Sequence, residues 1–229
     1  MKIRRGVNIV CGHYGSGKTN FAVNLAVRAK ADFPDTDVYI ADLDIVNPYF
    51  RTADAENLLR KRGIIPALPQ YANSNVDIPV IPPQMTRLIE SEDSVAVIDV
   101  GGDDGSVALG MYRELIKRAG YEMYFVVNMY RPLIELPEDA AGCMREIEAV
   151  SGLKCTRLVN NSSLGAETTA DDIIRSVAYA RECEKACGLP LAAHSYLREC
   201  VPELPDAFVR AGLDGEPLFG MTAATKKLF

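Results

Sequence analysis

The octet Gly12-His13-Tyr14-Gly15-Ser16-Gly17-Lys18-Thr19 narrows the possible folds of this chain more than any other stretch. It matches G-x-x-x-x-G-K-[ST], in which glycines let the backbone turn so that successive N–H groups point inward at a polyphosphate. In such a loop Lys18 reaches the β- and γ-phosphates and the Thr19 hydroxyl ligates Mg²⁺. The pattern works only between a strand and a helix. Residues 7–11 are a short apolar strand ending at Gly12, and residues 20–30 have helix-forming composition, so a helix dipole adds its positive end to the site. Gly12, Gly15, Ser16, Gly17, Lys18, Thr19 and Asn20 are the candidate phosphate-contacting residues.

The rest of the chain continues the alternation. Residues 37–44 read as a strand carrying Asp42 and Asp44 at its carboxyl end, on the same side by alternation. In an open parallel sheet that end lines the ligand crevice. Residues 52–61 resume helical character, with Thr52 as a cap and Gly63 as a stop. Residues 94–99 are a continuous apolar run ending in Asp99, where a carboxylate beside a phosphate loop holds Mg²⁺ through water. The spacing Asp99-Val100-Gly101-Gly102 lets a glycine N–H sense a γ-phosphate, which makes residues 99–105 a candidate switch loop and Gly102 a candidate contact.

Strands are expected at 121–128, 154–159 and 189–197, and helices at 137–151, 170–187 and 206–211, with Thr168 or Thr169 capping the second of these. Such alternation predicts a doubly wound, mostly parallel α/β sheet with helices on both faces. No repeat, low-complexity tract or linker interrupts it, so residues 1–229 are expected to form one nucleotide-binding domain. Residues 64–83 carry five prolines around a polar run, Tyr71 to Asp77, and are expected to form an irregular loop. That loop reads either as a stiffened crossover or as a partner or substrate surface.

A net charge of −6 argues against broad electrostatic binding to nucleic acid or anionic lipid. With no secretory h-region and no apolar run of membrane-spanning length, the chain is expected to be cytoplasmic, with neither membrane nor nucleic acid as a partner. The six cysteines include no C-x-x-C pair and read as reduced, packed thiols; Cys183 and Cys187 share a helix face without further ligands nearby. His194, in an apolar strand, reads as a satisfied core histidine. Asn160 and Asn161 end a strand and are open to an Asx turn or a ligand contact. Arg51 and Arg131 follow strand ends and are open to phosphate contact or simple exposure.

In this order the pieces resemble the MinD/ParA/Mrp group of P-loop ATPases, which includes the nitrogenase iron protein. The resemblance runs over nearly the whole chain. Residues Gly12 to Thr19 match the group's phosphate loop, Asp42-Leu43-Asp44 is similar to its D-x-D box, and Asp99-Val100-Gly101-Gly102-Asp103 is similar to its second switch. The resemblance implies ATP and Mg²⁺ as cofactors, with Thr19 and Asp99 at the metal and Asp42 and Asp44 beside Lys18 in catalysis. It implies that Asp44 positions the attacking water, that Asn160 or Asn161 reads the adenine edge, and that residues 197–199 close over the base.

Many members carry a second lysine after the first glycine of the loop; here that position is His13. The implied function is a slow ATPase switch acting through a nucleotide-dependent homodimer or a protein partner. Two other readings stay open: an ATP-dependent synthetase similar to dethiobiotin synthetase or the cobyrinic acid amide synthetases, acting on a small acid, and a non-hydrolysing nucleotide-binding scaffold. The absence of an N-K-x-D box favours adenine over guanine.

Overall fold

The computed structural model describes residues 1–43, 53–67, 86, 89–91 and 93–223. Its strands are β1 (Gly6–Gly12), β2 (Val38–Asp42), β3 (Ile64–Ala67), β4 (Val95–Asp99), β5 (Tyr121–Val127), β6 (Arg157–Asn160), β7 (Leu191–Leu197) and β8 (Leu218–Met221). They form one sheet in the order β3-β2-β4-β1-β5-β6-β7-β8, and every pairing is parallel. The helices are α1 (Lys18–Asp32), α2 (Ala53–Lys61), α3 (Gly102–Gly110), α4 (Arg113–Ala119), α5 (Pro137–Ser151), α6 (Ala170–Cys187) and α7 (Leu204–Arg210).

Both faces of the sheet are covered, as near-continuous apolar strands require. On one face Val10, Ile40, Val97 and Val126 pack with Phe21, Leu25 and Ala29 of α1 and Leu59 of α2. On the other, Val7, Ile9, Ile98 and Phe125 pack with Leu109 of α3, Ile116 of α4, Met144 of α5 and Cys183 of α6. β1 alternates between the two cores, which sets its carboxyl end, and the loop that follows, at the centre of the sheet. The chain leaves β1 for β2, β3 and β4 on one side, and β5 to β8 add on the other, so the crevice opens at the carboxyl ends of β1 and its neighbours.

Helix α6 begins where its sequence says it should. Thr169 Oγ1 accepts the Asp172 N–H while the Asp172 carboxylate accepts the Thr169 N–H, a reciprocal capping box, and Gly188 ends the helix at φ 67°. Asp172 is held below the usual carboxylate range by the bonds it accepts from Thr169.

Two expectations need correction. The irregular stretch placed at 64–83 begins with a strand: Ile64–Ala67 is β3, with Pro66 in register with Ile40 of β2. β3 is outermost in the sheet, which is where a residue lacking an N–H is tolerated. The candidate switch at 99–105 is helical from Gly102 onward, with Gly101 as the N-cap and its carbonyl accepting the Gly105 N–H at 2.9 Å. The remaining proline-rich residues 68–83, together with Asp44, Arg51 and Thr52, lie outside the described residues.

The six cysteines are free thiols. Cys11 Sγ sits 3.8 Å from Cys155 Sγ in the core, and burial pushes the Cys183 thiol up to about 12, far from the reactive range. Among the described residues no helix is long and apolar enough to cross a membrane.

Candidate nucleotide site

The loop between β1 and α1 is shaped by contacts that exclude side chains. Gly12 has φ 153°, and a Cβ there would stand 2.5 Å from the Val126 carbonyl of β5. Gly17 has φ 84°, and its Cβ would collide with the Asn161 amide nitrogen. The loop closes with the Ser16 N–H donating to the His13 carbonyl at 3.1 Å, and α1 starts with the Phe21 N–H donating to the Gly17 carbonyl at 3.1 Å. Ser16 Oγ lies 3.0 Å from the position of a Gly12 Cβ and is buried with no hydrogen-bond partner among the described residues. An orphaned hydroxyl inside a glycine-walled loop fits an anionic ligand whose oxygens supply the missing acceptor.

Lys18 and Thr19 open α1, Lys18 being 5% exposed. Across the carboxyl end of the sheet one register row reads Asp42, Asp99, Val10, Tyr124. Residues in register on parallel strands share a face, and Val10 and Tyr124 belong to the core beneath α1. Asp99 and Asp42 therefore stand on the same face as the helix that begins with Lys18 and Thr19. Asp99 is 1% exposed, with its carbonyl accepting the Leu43 N–H at 2.8 Å and Val100 extending the ladder to Val10 at 2.9 Å.

The described residues contain no group of three or more His, Cys, Asp or Glu able to hold a metal. A Mg²⁺ ion at this place would be held by the Thr19 hydroxyl and Asp99 and would supply positive charge against a bound phosphate.

On the other flank of β1 the strand ends carry amides and hydroxyls knitted to one another. Asn161 Nδ2 donates to the Ser16 carbonyl at 2.7 Å and Asn161 Oδ1 accepts Ser195 Oγ at 2.7 Å, so this residue struts the phosphate loop from β6 and β7. Asn160 Oδ1 accepts the Ser162 N–H and hydroxyl, while its Nδ2 serves Ser176 and His194. Both side chains, singled out for base contact, are thus engaged by protein partners. Asn128, at the end of β5, joins the same network: its Nδ2 donates to the Ser163 carbonyl at 3.2 Å.

Behind them His194 is fully buried between Asn160 Nδ2 at 2.9 Å and Glu216 Oε2 at 3.1 Å. With Nδ1 accepting from the amide, Nε2 carries the proton toward the carboxylate. Burial pushes the His194 pKa down, against the opposing pull of Glu216. Burial pulls the Glu216 carboxyl up, but the bonds from Arg181 and His194 outweigh it and hold it below its usual range. This is the satisfied core histidine that the sequence suggests.

A cleft of about 160 Å³ runs from the phosphate loop (Gly15, Gly17) past Asn128 and Ser163 to an apolar floor that includes Ile173, Val201 and Met221. Asn20 faces it from α1, and α1 is tied to the far edge of the sheet, where Asn24 exchanges bonds with the Thr222 backbone at 2.9 Å in each direction. Asn128, Ser162, Ser163 and Ser195 escaped the sequence reading. The run Asn160-Asn161-Ser162-Ser163 at a strand end was the available signal.

No protein-family model matches the chain, and no curated protein matches it. Solved structures do. FtsY from Mycoplasma mycoides is similar over 83% of this chain and 59% of its own, at 16% identity and a TM-score of 0.53. The cell division protein FtsY from Thermotoga maritima is similar over 83% and 61%, at 14% identity and a TM-score of 0.50. A nucleotide-binding protein from Archaeoglobus fulgidus, solved with ADP, is similar over 68% and 66%, at 16% identity and a TM-score of 0.42. The chain spans about six tenths of the length of the FtsY structures. Likeness at this level of identity concerns the fold alone, and the fold is that of the P-loop nucleoside triphosphatases.

Proposed function

We propose that this protein is a Mg²⁺-dependent ATP-binding and hydrolysing switch of the MinD/ParA-like class. The observation that carries the reading is the placement of Lys18 and Thr19 on the face that also bears Asp42 and Asp99. Lys18 holds the terminal phosphates, Thr19 and Asp99 hold the metal, and Asn20 and the N–H groups of residues 15–19 orient the phosphate chain. Gly102, at the amino end of α3, supplies the γ-phosphate-sensing N–H, and Asp44 orients the attacking water. Adenine is favoured because the sequence has no N-K-x-D box. His13 in place of the second lysine leaves activation to a protein partner or a second copy of the chain.

The reading is tested by equilibrium binding of Mg-ATP and Mg-GTP to wild type and Lys18→Ala, then by hydrolysis in Asp44→Ala. Tight ATP binding lost with Lys18, and turnover lost with Asp44 while binding persists, supports it. Equal binding by Lys18→Ala overturns it. Turnover that appears only when a small carboxylic acid is added assigns the chain to the synthetase class instead.

A further inference from the structure

The fourth residue of the phosphate loop is a position that the G-x-x-x-x-G-K-[ST] pattern leaves free, yet here it is glycine. Gly15 has φ 76°, and a Cβ on it would meet Arg131 Nε at 3.3 Å and Arg131 Cδ and Cζ at 3.5 Å. Arg131 therefore lies lengthwise across the loop backbone. Its Nε donates to the Gly15 carbonyl at 2.7 Å. It comes from the segment after β5, where the Arg131 N–H itself donates to the Asn128 carbonyl at 3.1 Å. No carboxylate among the described residues pairs with it.

Resting on the nucleotide reading above, we infer that Arg131 is a wall of the nucleoside pocket, its guanidinium plane stacking on the purine base rather than neutralising phosphate. Two features separate these roles. In a phosphate-binding loop the N–H groups converge inward and the carbonyls face outward. A guanidinium fixed to the Gly15 carbonyl accordingly sits outside the phosphate cradle. On that outer side it lines the cleft whose floor is Ile173, Val201 and Met221, an apolar surface suited to the opposite face of a planar base. A planar, delocalised and weakly hydrated cation is the side chain that stacks well on an aromatic ring. Anchoring by Nε pre-organises the plane at little further loss of side-chain freedom. The φ of 76° favours glycine at position 15, and the missing Cβ leaves the arginine room to lie close against the loop.

The test compares Mg-ATP with Mg-tripolyphosphate, which has the phosphates and no base, on wild type, Arg131→Ala and Arg131→Lys, with Lys18→Ala as the control for the site itself. Arg131 is exposed, and thermal melts of each variant verify that the fold is retained. The expected result is that both Arg131 variants bind ATP about tenfold more weakly, within the range for loss of a stacked base contact, while tripolyphosphate affinity is unchanged. Equal losses for ATP and tripolyphosphate, restored by lysine, overturn the inference in favour of a phosphate contact. No change for either ligand overturns it in favour of a solvated arginine. If wild type binds ATP no better than Lys18→Ala does, the nucleotide reading fails and the inference falls with it. If that control behaves and only the Arg131 pattern fails, the nucleotide reading stands alone.

Discussion

On one side of β1 the ends of β4 and β2 present the carboxylates Asp99 and Asp42, adjacent in register; on the other side the ends of β5, β6 and β7 present Asn128, Asn160, Asn161 and Ser195. The first flank carries negative charge suited to a metal cation. The second offers amides and hydroxyls, and most of their hydrogen-bonding capacity is satisfied internally, from Ser16 through Asn161 to Ser195 and from Ser162 through Asn160 to His194. A group that must hold a loop in one shape works best when its hydrogen bonds are saturated. The contrast matches the proposed division, with chemistry on the carboxylate flank and pre-organisation on the amide flank.

Four substitutions or conditions break or sharpen that contrast. Asp99→Asn, on the charged flank, is expected to reduce Mg²⁺-dependent ATP turnover by about 1000-fold, the scale of losing one transition-state-stabilising group. Single-turnover hydrolysis measures it, and a loss below tenfold would separate Asp99 from the metal. Lys18→Ala is expected to weaken Mg-ATP binding about 100-fold by calorimetry, as for a buried charge-assisted contact.

On the neutral flank, Asn161→Ala removes the amide donor to the Ser16 carbonyl and leaves the Ser195 hydroxyl with only the longer bond to the Asn160 carbonyl, at 3.3 Å. It is expected to lower unfolding stability by about 2–3 kcal/mol in urea titration. An Asn161→Ala protein of wild-type stability that had lost hydrolysis would reverse the assignment of the flanks.

The smallest effect is pH-dependent. His194 has a folded pKa below its ordinary 6.5, so the unfolded chain takes up the proton first. Stability is then fully present above that value and declines as pH falls below it, with a slope of at most about 1.4 kcal/mol per pH unit. Glu216, held below its ordinary 4.5, contributes in the same direction at lower pH: its stabilisation is present above that value and lost on further acidification. Urea midpoints between pH 7 and 5 should fall in wild type and flatten in His194→Gln.

Much of this fold was legible in the sequence where local signals agree. Pro137–Ser151 and Ala170–Cys187 appear with the expected bounds, because a proline at N1, a capping Thr169 and the terminal glycines Gly152 and Gly188 all mark the same boundaries. The edge strands escaped: β3 contains Pro66, and β8 is four residues long with a glycine inside. Helices α3 and α4 escaped because Gly102, Gly105 and Gly110 weaken the first of them to below what composition reveals, and only the apolar face beneath them holds it. Within the candidate site, the glycine-walled loop between β1 and α1 and the place of Asp99 at the end of β4 were readable because glycines at fixed spacing and a strand-ending acid are local signals. The struts were not. Asn161 and Ser195 act through hydrogen bonds to residues far away in sequence, and no local pattern announces a partner that the fold brings near.

The clasp between Asn24 of α1 and the Thr222 backbone joins residues 198 apart in sequence, and the Asn161 strut reaches Ser16 across 145. During synthesis the phosphate loop therefore emerges well before its supports. A ribosome-bound chain that has exposed the segment up to Asp99 but not β6 to β8 carries the loop without the scaffold that shapes it. Such long closures slow folding and leave apolar strands uncovered meanwhile. The final shape of the loop thus becomes a late event in the life of the nascent protein, reached once the far edge of the sheet has been laid down.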